Sequence, residues 1–593
     1  MHVLSFLRRL AVLVVTLAAL GLLLFRSLAP PAQAKVARDW FVSPSGAGSA
    51  CTQGGPCALP EALANALDGD AVFLAGGLYT GSEGEVARIE RSLTLNGGWD
   101  GAMASPPNCD PAAHPSILDG QDDRRAVWIA PGLNVTLDGL TLQRGFGGLH
   151  GGGLFSSGSD LTLHRMLILS NTVHAGSGEE AYGAGAFAEY GSLTVAASTF
   201  YGNGTRCTSC PTVMGGGLFV SGTVHAVIED SLFQNNDAWD GSGMASAADP
   251  YVGHAVVRRC VFLDNGQRRS VAALGGGYDS GLYHANGSLL VEDCTFQNNY
   301  AGNDGGGLGI FWAVATVDRC LFLGNHSQVG SAVRLYTNDP FTVTNNIIAD
   351  NDPLWRGGAA VYLRGLSTGA VGLVAHNTLA RNTSASGGQG IHLAQRAEAI
   401  LRNNIIVSHT VGLTVDIESQ ANVDGTLWGA GAWANGQDWG GYGAVSFGAA
   451  DLHGDPGFLY PQYQDYHLRA ESLAVDHGVD AGITVDIDGH SRPLGAGFDI
   501  GADEFQPGAP TSTPPVTETP TPTATATRTQ TRTPTATSTQ TPTRTTTPTP
   551  TQTGTATPTA TGTLTLAPTQ TPTRTPEGWT PSRVHLPLIV KRK

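Results

Sequence analysis

Ala226-Val227-Ile228-Glu229-Asp230-Ser231-Leu232-Phe233, opened by Gly215-Gly216-Gly217-Leu218 and closed three residues later by Asn236, is the stretch that decides the fold. Its residues alternate with the period of a strand and lack helical spacing. The same phrase returns along the chain, with its Asn at 171, 203, 236, 265, 299, 325, 351 and 382, so the spacings are 32, 33, 29, 34, 26, 26 and 31. Such spacing places one supersecondary unit in each repeat. The expectation is an all-β fold, a parallel β-helix in which each strand pairs with its counterpart one turn later, about 4.8 Å away. Equivalent residues then stack. The Asn side chains bond along a column, while Phe200, Phe233, Phe262, Phe296 and Phe322 form a second, inward one. Cys260, Cys294 and Cys320 share one repeat position and read as part of a third column of buried thiols. Gly and Asn recur at corners because they tolerate the left-handed backbone of a tight bend. Ahead of the repeats, Leu59, Ala62, Leu63, Ala66 and Leu67 have helical spacing, which predicts an amphipathic cap over the first coil's open strand edges.

The repeats resemble the right-handed parallel β-helix of the pectin-lyase-like superfamily, and the paired Gly-Gly-small-apolar and Phe-x-x-Asn signatures are also similar to the repeats of polymorphic outer-membrane proteins. Phe41-Val42-Ser43 through Cys51, Pro56-Cys57, Gly69-Asp70 and Gly77-Leu78-Tyr79 look like the usual first turn and cap of secreted helices of this kind. Gly454-Asp455-Pro456-Gly457-Phe458, Asp486-Ile487-Asp488-Gly489, Arg492-Pro493 and Asp499-Ile500-Gly501-Ala502-Asp503-Glu504-Phe505 resemble the closing choice-of-anchor Q domain of bacterial surface proteins. These resemblances cover most of residues 39 to 505. They imply a fold and an address, and bring no established catalytic residues.

Residues 1–34 read as a secretory signal: Arg8 and Arg9, an apolar run from Leu10 to Phe25, and Ala32-Gln33-Ala34 as cleavage site. Residues 35–452 are the expected capped β-helix and 453–505 the closing segment. Residues 506–577, almost wholly Thr, Pro, Ala and Gln, carry too little apolar surface to offset the entropy of folding and read as a disordered stalk. In residues 578–593 an apolar stretch, His585-Leu586-Pro587-Leu588-Ile589-Val590, precedes Lys591-Arg592-Lys593; it is too short to span a bilayer as a helix and reads as a sorting or attachment tail to the cell envelope. Of the chain's 33 basic residues 11 lie in the two ends, leaving 22, and of its 49 acidic residues 2 do, leaving 47. A body with a net charge of −25 is a poor partner for nucleic acid. Among the eight cysteines, Cys51 with Cys57 and Cys207 with Cys210 are local pairs able to close loops, and Cys109 has no evident partner.

From each Gly cluster to the next Asn the distance is nearly steady, whereas the gap from Asn to the following Gly cluster varies, so insertions collect at one corner and project along one edge. That edge carries Glu179, Glu180, Tyr182, Asp237, Trp239, Asp240, Arg268, Arg269, Asp304, His326, Trp355 and Arg356. Rings beside carboxylates and Arg suit a polysaccharide, with Trp239, Trp355, Arg356, Tyr182 and Asp304 as binding residues. The alternative is solvated loop residues with incidental aromatics. An enzymatic reading, lyase or glycoside hydrolase, needs two carboxylates at a working separation; Glu180, Asp237 and Asp240 are the candidates, with Glu180 and Asp237 expected on adjacent coils. No cofactor is called for. Asp486-Ile487-Asp488-Gly489 resembles the start of a calcium loop without the ligands that would complete one, so Asp486 and Asp488 are the metal candidates and a turn is the competing reading. Adhesion or glycan binding at a cell surface is the function the sequence favours.

Overall fold

The computed structural model describes residues 37–507 save 82–83, 177, 206–211, 223–224, 249–252, 267–280, 355–357 and 368. Over the described residues the chain winds through three long parallel sheets. The first has 15 strands, from Asp39–Val42 to Ala444–Phe447; the second 14, from Gly77–Thr80 to Leu452–Gly454; the third 13, from Ala87–Ile89 to Gln437–Gly441. One coil visits them in the order first, second, third, as Asp160–His164, Leu167–Leu169 and Ala186–Glu189 do. Because equivalent residues pair directly, Phe233 faces Phe200 behind it and Phe262 ahead of it, so the expected parallel β-helix is what forms.

The Asn column runs as predicted. Each buried side chain donates from Nδ2 to Oδ1 of the next, from Asn171 to Asn203 at 3.0 Å through Asn351 to Asn382 at 2.9 Å, and also to a backbone carbonyl of the preceding coil, as Asn265 does to Phe233 at 2.8 Å. The column ends where Asn382 Nδ2 meets His409 Nε2 at 3.1 Å. At the corner between the first and second sheets the thiol column is longer and more polar than the sequence suggested. Ser198 and Ser231 precede Cys260, Cys294 and Cys320, and Asn346, Asn377 and Asn404 follow them. These side chains accept from backbone N–H groups, so the column satisfies a buried corner as well as filling space.

The five phenylalanines are fully buried, with rings 4.7–4.9 Å apart and within 7° of parallel. The Gly clusters make room for them. A Cβ at Gly243 would lie 2.9 Å from the Phe262 ring, and one at Gly307 2.9 Å from that of Phe322. At the N-terminal end the helix forms over Leu59–Asn65, burying Leu59 and Ala62, and Cys51 is bonded to Cys57. Cys207 and Cys210 lie outside the described residues; Cys109 is free.

After Leu452–Gly454 the chain leaves the coils and folds back along the outer side of the second sheet. There Phe458, Tyr466, Leu468, Ala474, Ile487, Ile500 and Ala502 pack on Leu323, Ile347, Ala349, Ala380, Ile405 and Leu427. Outward positions of the second sheet are therefore apolar in these late coils.

Candidate functional site

The varied corner lies between the second and third sheets, and its loops are partly structured. Glu180–Tyr182 pairs with Thr212–Met214, Thr172–Val173 with Gly204–Thr205, and His326–Ser327 with Asp352–Pro353. The pairing also corrects one expectation. Thr172 is followed by Gly204 and then Asp237 in successive coils, and Tyr182 by Met214 and then Asp240. Glu180 therefore stands two coils before Asp237 and Asp240, not one, because the loop holding Thr212–Met214 forms a rung between them. Trp239 is half-buried and packs against a small apolar cluster of Val173, Ala175, Ala181, Ala184 and Val213. Tyr182 is half-buried, donates its hydroxyl to Glu180, and stacks on His150 at 5.4 Å. Its phenol is pushed above the ordinary range, by burial first and then by Glu180. Asp304 forms an ion pair with the buried Arg334, and His326 faces Asp352 at 3.2 Å. Glu179 is exposed. Arg268, Arg269, Trp355 and Arg356 lie outside the described residues.

Asp486 and Asp488 fall in the closing segment. Asp486 Oδ1 accepts from the backbone N–H groups of Asp488 (2.9 Å) and His490 (2.7 Å), which makes the Asp-x-Asp-Gly stretch a turn, and its Oδ2 accepts from Glu504 N–H. Ligand atoms of Asp486, Asp488 and His490 lie within 4.8 Å of one another, as do those of His467, Asp488 and Asp503. These are the described residues able to hold a cation. His467 Nδ1 also contacts Asp465 at 2.6 Å and its Nε2 contacts Asp488 at 3.1 Å.

A second group of side chains converges on the outer face of the third sheet. Pairing aligns Arg88, Trp128, Phe155, Phe187 and Phe219 in successive coils. The Arg88 guanidinium lies 3.8 Å over the Trp128 ring, and Phe155, Phe187 and Phe219 stack at 5.3 and 5.5 Å. Tyr182 stacks on Phe219 at 4.7 Å, joining the varied corner to this face. Further along, Arg334 sits 3.9 Å over Phe311 and 4.6 Å over Tyr336, Arg364 lies 4.9 Å over Tyr336, and Tyr362 meets His392 edge-on at 5.0 Å. His392 Nε2 is 3.0 Å from Asp416 Oδ2. Arg–aromatic pairs of this kind hold planar rings in fixed orientation.

At the corner between the third and first sheets stand two exposed rings, Tyr190 at 67% and Trp312 at 55% exposure. Both have left-handed backbone, φ 55° and 48°, at the repeat position occupied by Gly158, Gly222 and Asn286 in sister coils. A bulky residue in this conformation is strained by about 1–2 kcal/mol, and such strain gathers at functional positions. The Tyr190 ring rests on Gly222, where a Cβ would come within 2.7 Å of it. A repeat alignment carries the missed signal: a large ring where other coils keep Gly or Asn.

A family model described as "Right handed beta helix region" matches residues 124–311 and 273–427. No curated protein sequence matches the chain. Similar solved structures include a pectate lyase (13% identity, TM-score 0.33, covering 80% of this chain and 97% of that one) and the Dettilon tailspike protein (14%, 0.27, 69% of each). An alginate lyase from Paenibacillus is a third (13%, 0.22, 61% of this chain and 99% of that one).

Proposed function

The chain belongs to the right-handed β-helix family, and on that premise we propose that it is a secreted, cell-surface-displayed protein that binds an extracellular polysaccharide, serving adhesion or glycan capture. The observation that carries this reading is the pair Tyr190 and Trp312: exposed rings kept at positions whose backbone favours Gly or Asn. Sugar faces pack on such rings, and the aromatic and Arg-lined third sheet continues the surface on one side. Tyr182 and Trp239 extend it toward the varied corner, where Asp237, Asp240 and Arg356 supply polar groups for hydroxyls.

Replacing either ring with Gly is the direct test. Tyr190→Gly and Trp312→Gly should leave the melting temperature within a few degrees of wild type, since relief of left-handed strain offsets the extra chain entropy of Gly. Binding to the glycans captured by the wild-type protein on a glycan array should fall several-fold for each. A folded protein that captures no glycan would defeat the reading.

Display rests on the secretory signal at residues 1–34, the stalk at 506–577 and the basic-ended apolar tail at 578–593. Deleting residues 578–593 should move the protein from the cell fraction to the medium; retention on the cell would show that the tail is not the attachment signal.

A polysaccharide lyase or glycoside hydrolase is the second reading, favoured by His392 against Asp416 beside Tyr362 and Arg364, an arrangement able to exchange a proton with a bound sugar. Shortening of a polymer by the wild-type protein, lost in His392→Gln while binding persists, would put this reading first.

A further inference from the structure

We propose that the ligand of the Tyr190–Trp312 corner is a neutral, extended polysaccharide that lies along the axis of the β-helix and is long enough to touch both rings; this rests on the glycan-binding reading and names its substrate class. The backbone sets the distance. Tyr190 N–H donates to Ser221 O, Gly222 to Ala247, Ala248 to Ala285, Asn286 to Phe311 and Trp312 to Tyr336, all at 2.9–3.0 Å, so the five donors occupy one position in successive coils. The two rings are thus four rungs apart, about 19 Å. Between them the repeat position holds only Gly222, Ala248 and Asn286, whose short side chains leave a shallow path from one ring to the other.

A chain of hexopyranoses linked through equatorial oxygens is flat and advances by close to one rung per sugar. It can place a ring face on Tyr190 and another on Trp312 without bending away from the surface. Axially linked chains coil, and a short oligosaccharide reaches one ring only. The charges around the corner select against a polyanion. Glu189 adjoins Tyr190, and Asp339 lies in the next coil's turn beyond Trp312. The arginines of the adjoining face are engaged with carboxylates, Arg88 with Glu85 and Glu90, Arg125 with Glu85, and Arg334 with Asp304. The body as a whole carries 47 acidic residues against 22 basic ones, so a polyuronate meets repulsion at long and short range.

The experiment is calorimetric titration of the full-length protein with β-1,4-linked gluco-oligosaccharides of increasing length, with polygalacturonate as the charged comparison. Affinity should rise with length until the chain spans both rings and then level off. Tyr190→Gly or Trp312→Gly should each lower affinity for the long chains on the order of tenfold, to the level of the short ones. Polygalacturonate should bind more weakly than the neutral chain, the more so at low salt. Equal affinity for short and long chains, or tighter binding of polygalacturonate as salt is lowered, would overturn the proposal while leaving glycan binding intact. Failure of every sugar to bind a protein that melts normally would remove the reading beneath it as well.

Discussion

Arg492→Met should free the closing segment from the coils at a cost of about 3–5 kcal/mol, the penalty for leaving one partner of a buried ion pair uncompensated. Arg492 and Glu504 are both fully buried and 2.8 Å apart. The same guanidinium donates to the carbonyls of Gly501 (2.9 Å) and Ala502 (2.7 Å), so its loss also strands backbone acceptors. Segment 455–505 holds to the outside of the second sheet mainly through an apolar cluster, whereas each coil is held by its two neighbours. Hydrogen exchange should therefore accelerate in 455–505 and stay slow in coils 171–325; unchanged exchange in the closing segment would remove Arg492 from this role. The clasp has a pH dependence of definite sign. Burial first, and then Glu504, push the Asp499 carboxyl up to about 7, against the pull of its backbone hydrogen bonds and of Arg492. A carboxyl with a raised folded-state value contributes stability below the ordinary carboxylate range, and that contribution is lost as pH rises through 7. Protection of 455–505 should be greater near pH 5 than near pH 8, and Asp499→Asn should flatten the difference.

How legible each part was follows from how its information is stored. The coils were readable because every coil repeats the same constraint: an Asn that must meet the next Asn, a Phe that must meet the next Phe, and a Gly cluster that must leave room for the ring. The Asp-x-Asp-Gly turn was readable as a turn because Asp486 bonds locally, to Asp488 and His490. Its tie to Glu504 spans eighteen residues and was not. The separation of Glu180 from Asp237 was missed because an extra strand within a loop, Thr212–Met214, adds a rung that the Asn count does not show. Trp239 is a related case, since the same loops fold into an apolar cluster that half-buries it. Tyr190 and Trp312 were passed over for the opposite reason. They lie at the tight corner, where insertions are few, and only their backbone conformation distinguishes them from ordinary surface aromatics.

The core column carries the second large expected effect. Phe262 is fully buried, with its ring 4.9 Å from that of Phe233 and 4.8 Å from that of Phe296, and the adjoining Gly243 has no side chain with which to fill a gap. Phe262→Ala should thus leave a cavity that the neighbouring rings cannot close without breaking their own stacking, at about 3–5 kcal/mol. Phe262→Leu keeps most of the volume and should cost roughly 1–2 kcal/mol, the lost stacking and shape fit. Because coils support one another only through their neighbours, the weakening should be greatest between Phe233 and Phe296 and fade toward the N-terminal cap. Denaturant titration gives the magnitudes, and hydrogen exchange resolved along the chain gives the gradient. An unchanged denaturation midpoint in Phe262→Ala would mean that the rings fill space without holding the coils together. A uniform loss of protection from the cap to the last coil would mean instead that the β-helix unfolds as one cooperative unit, so that a defect in any coil is felt in all of them.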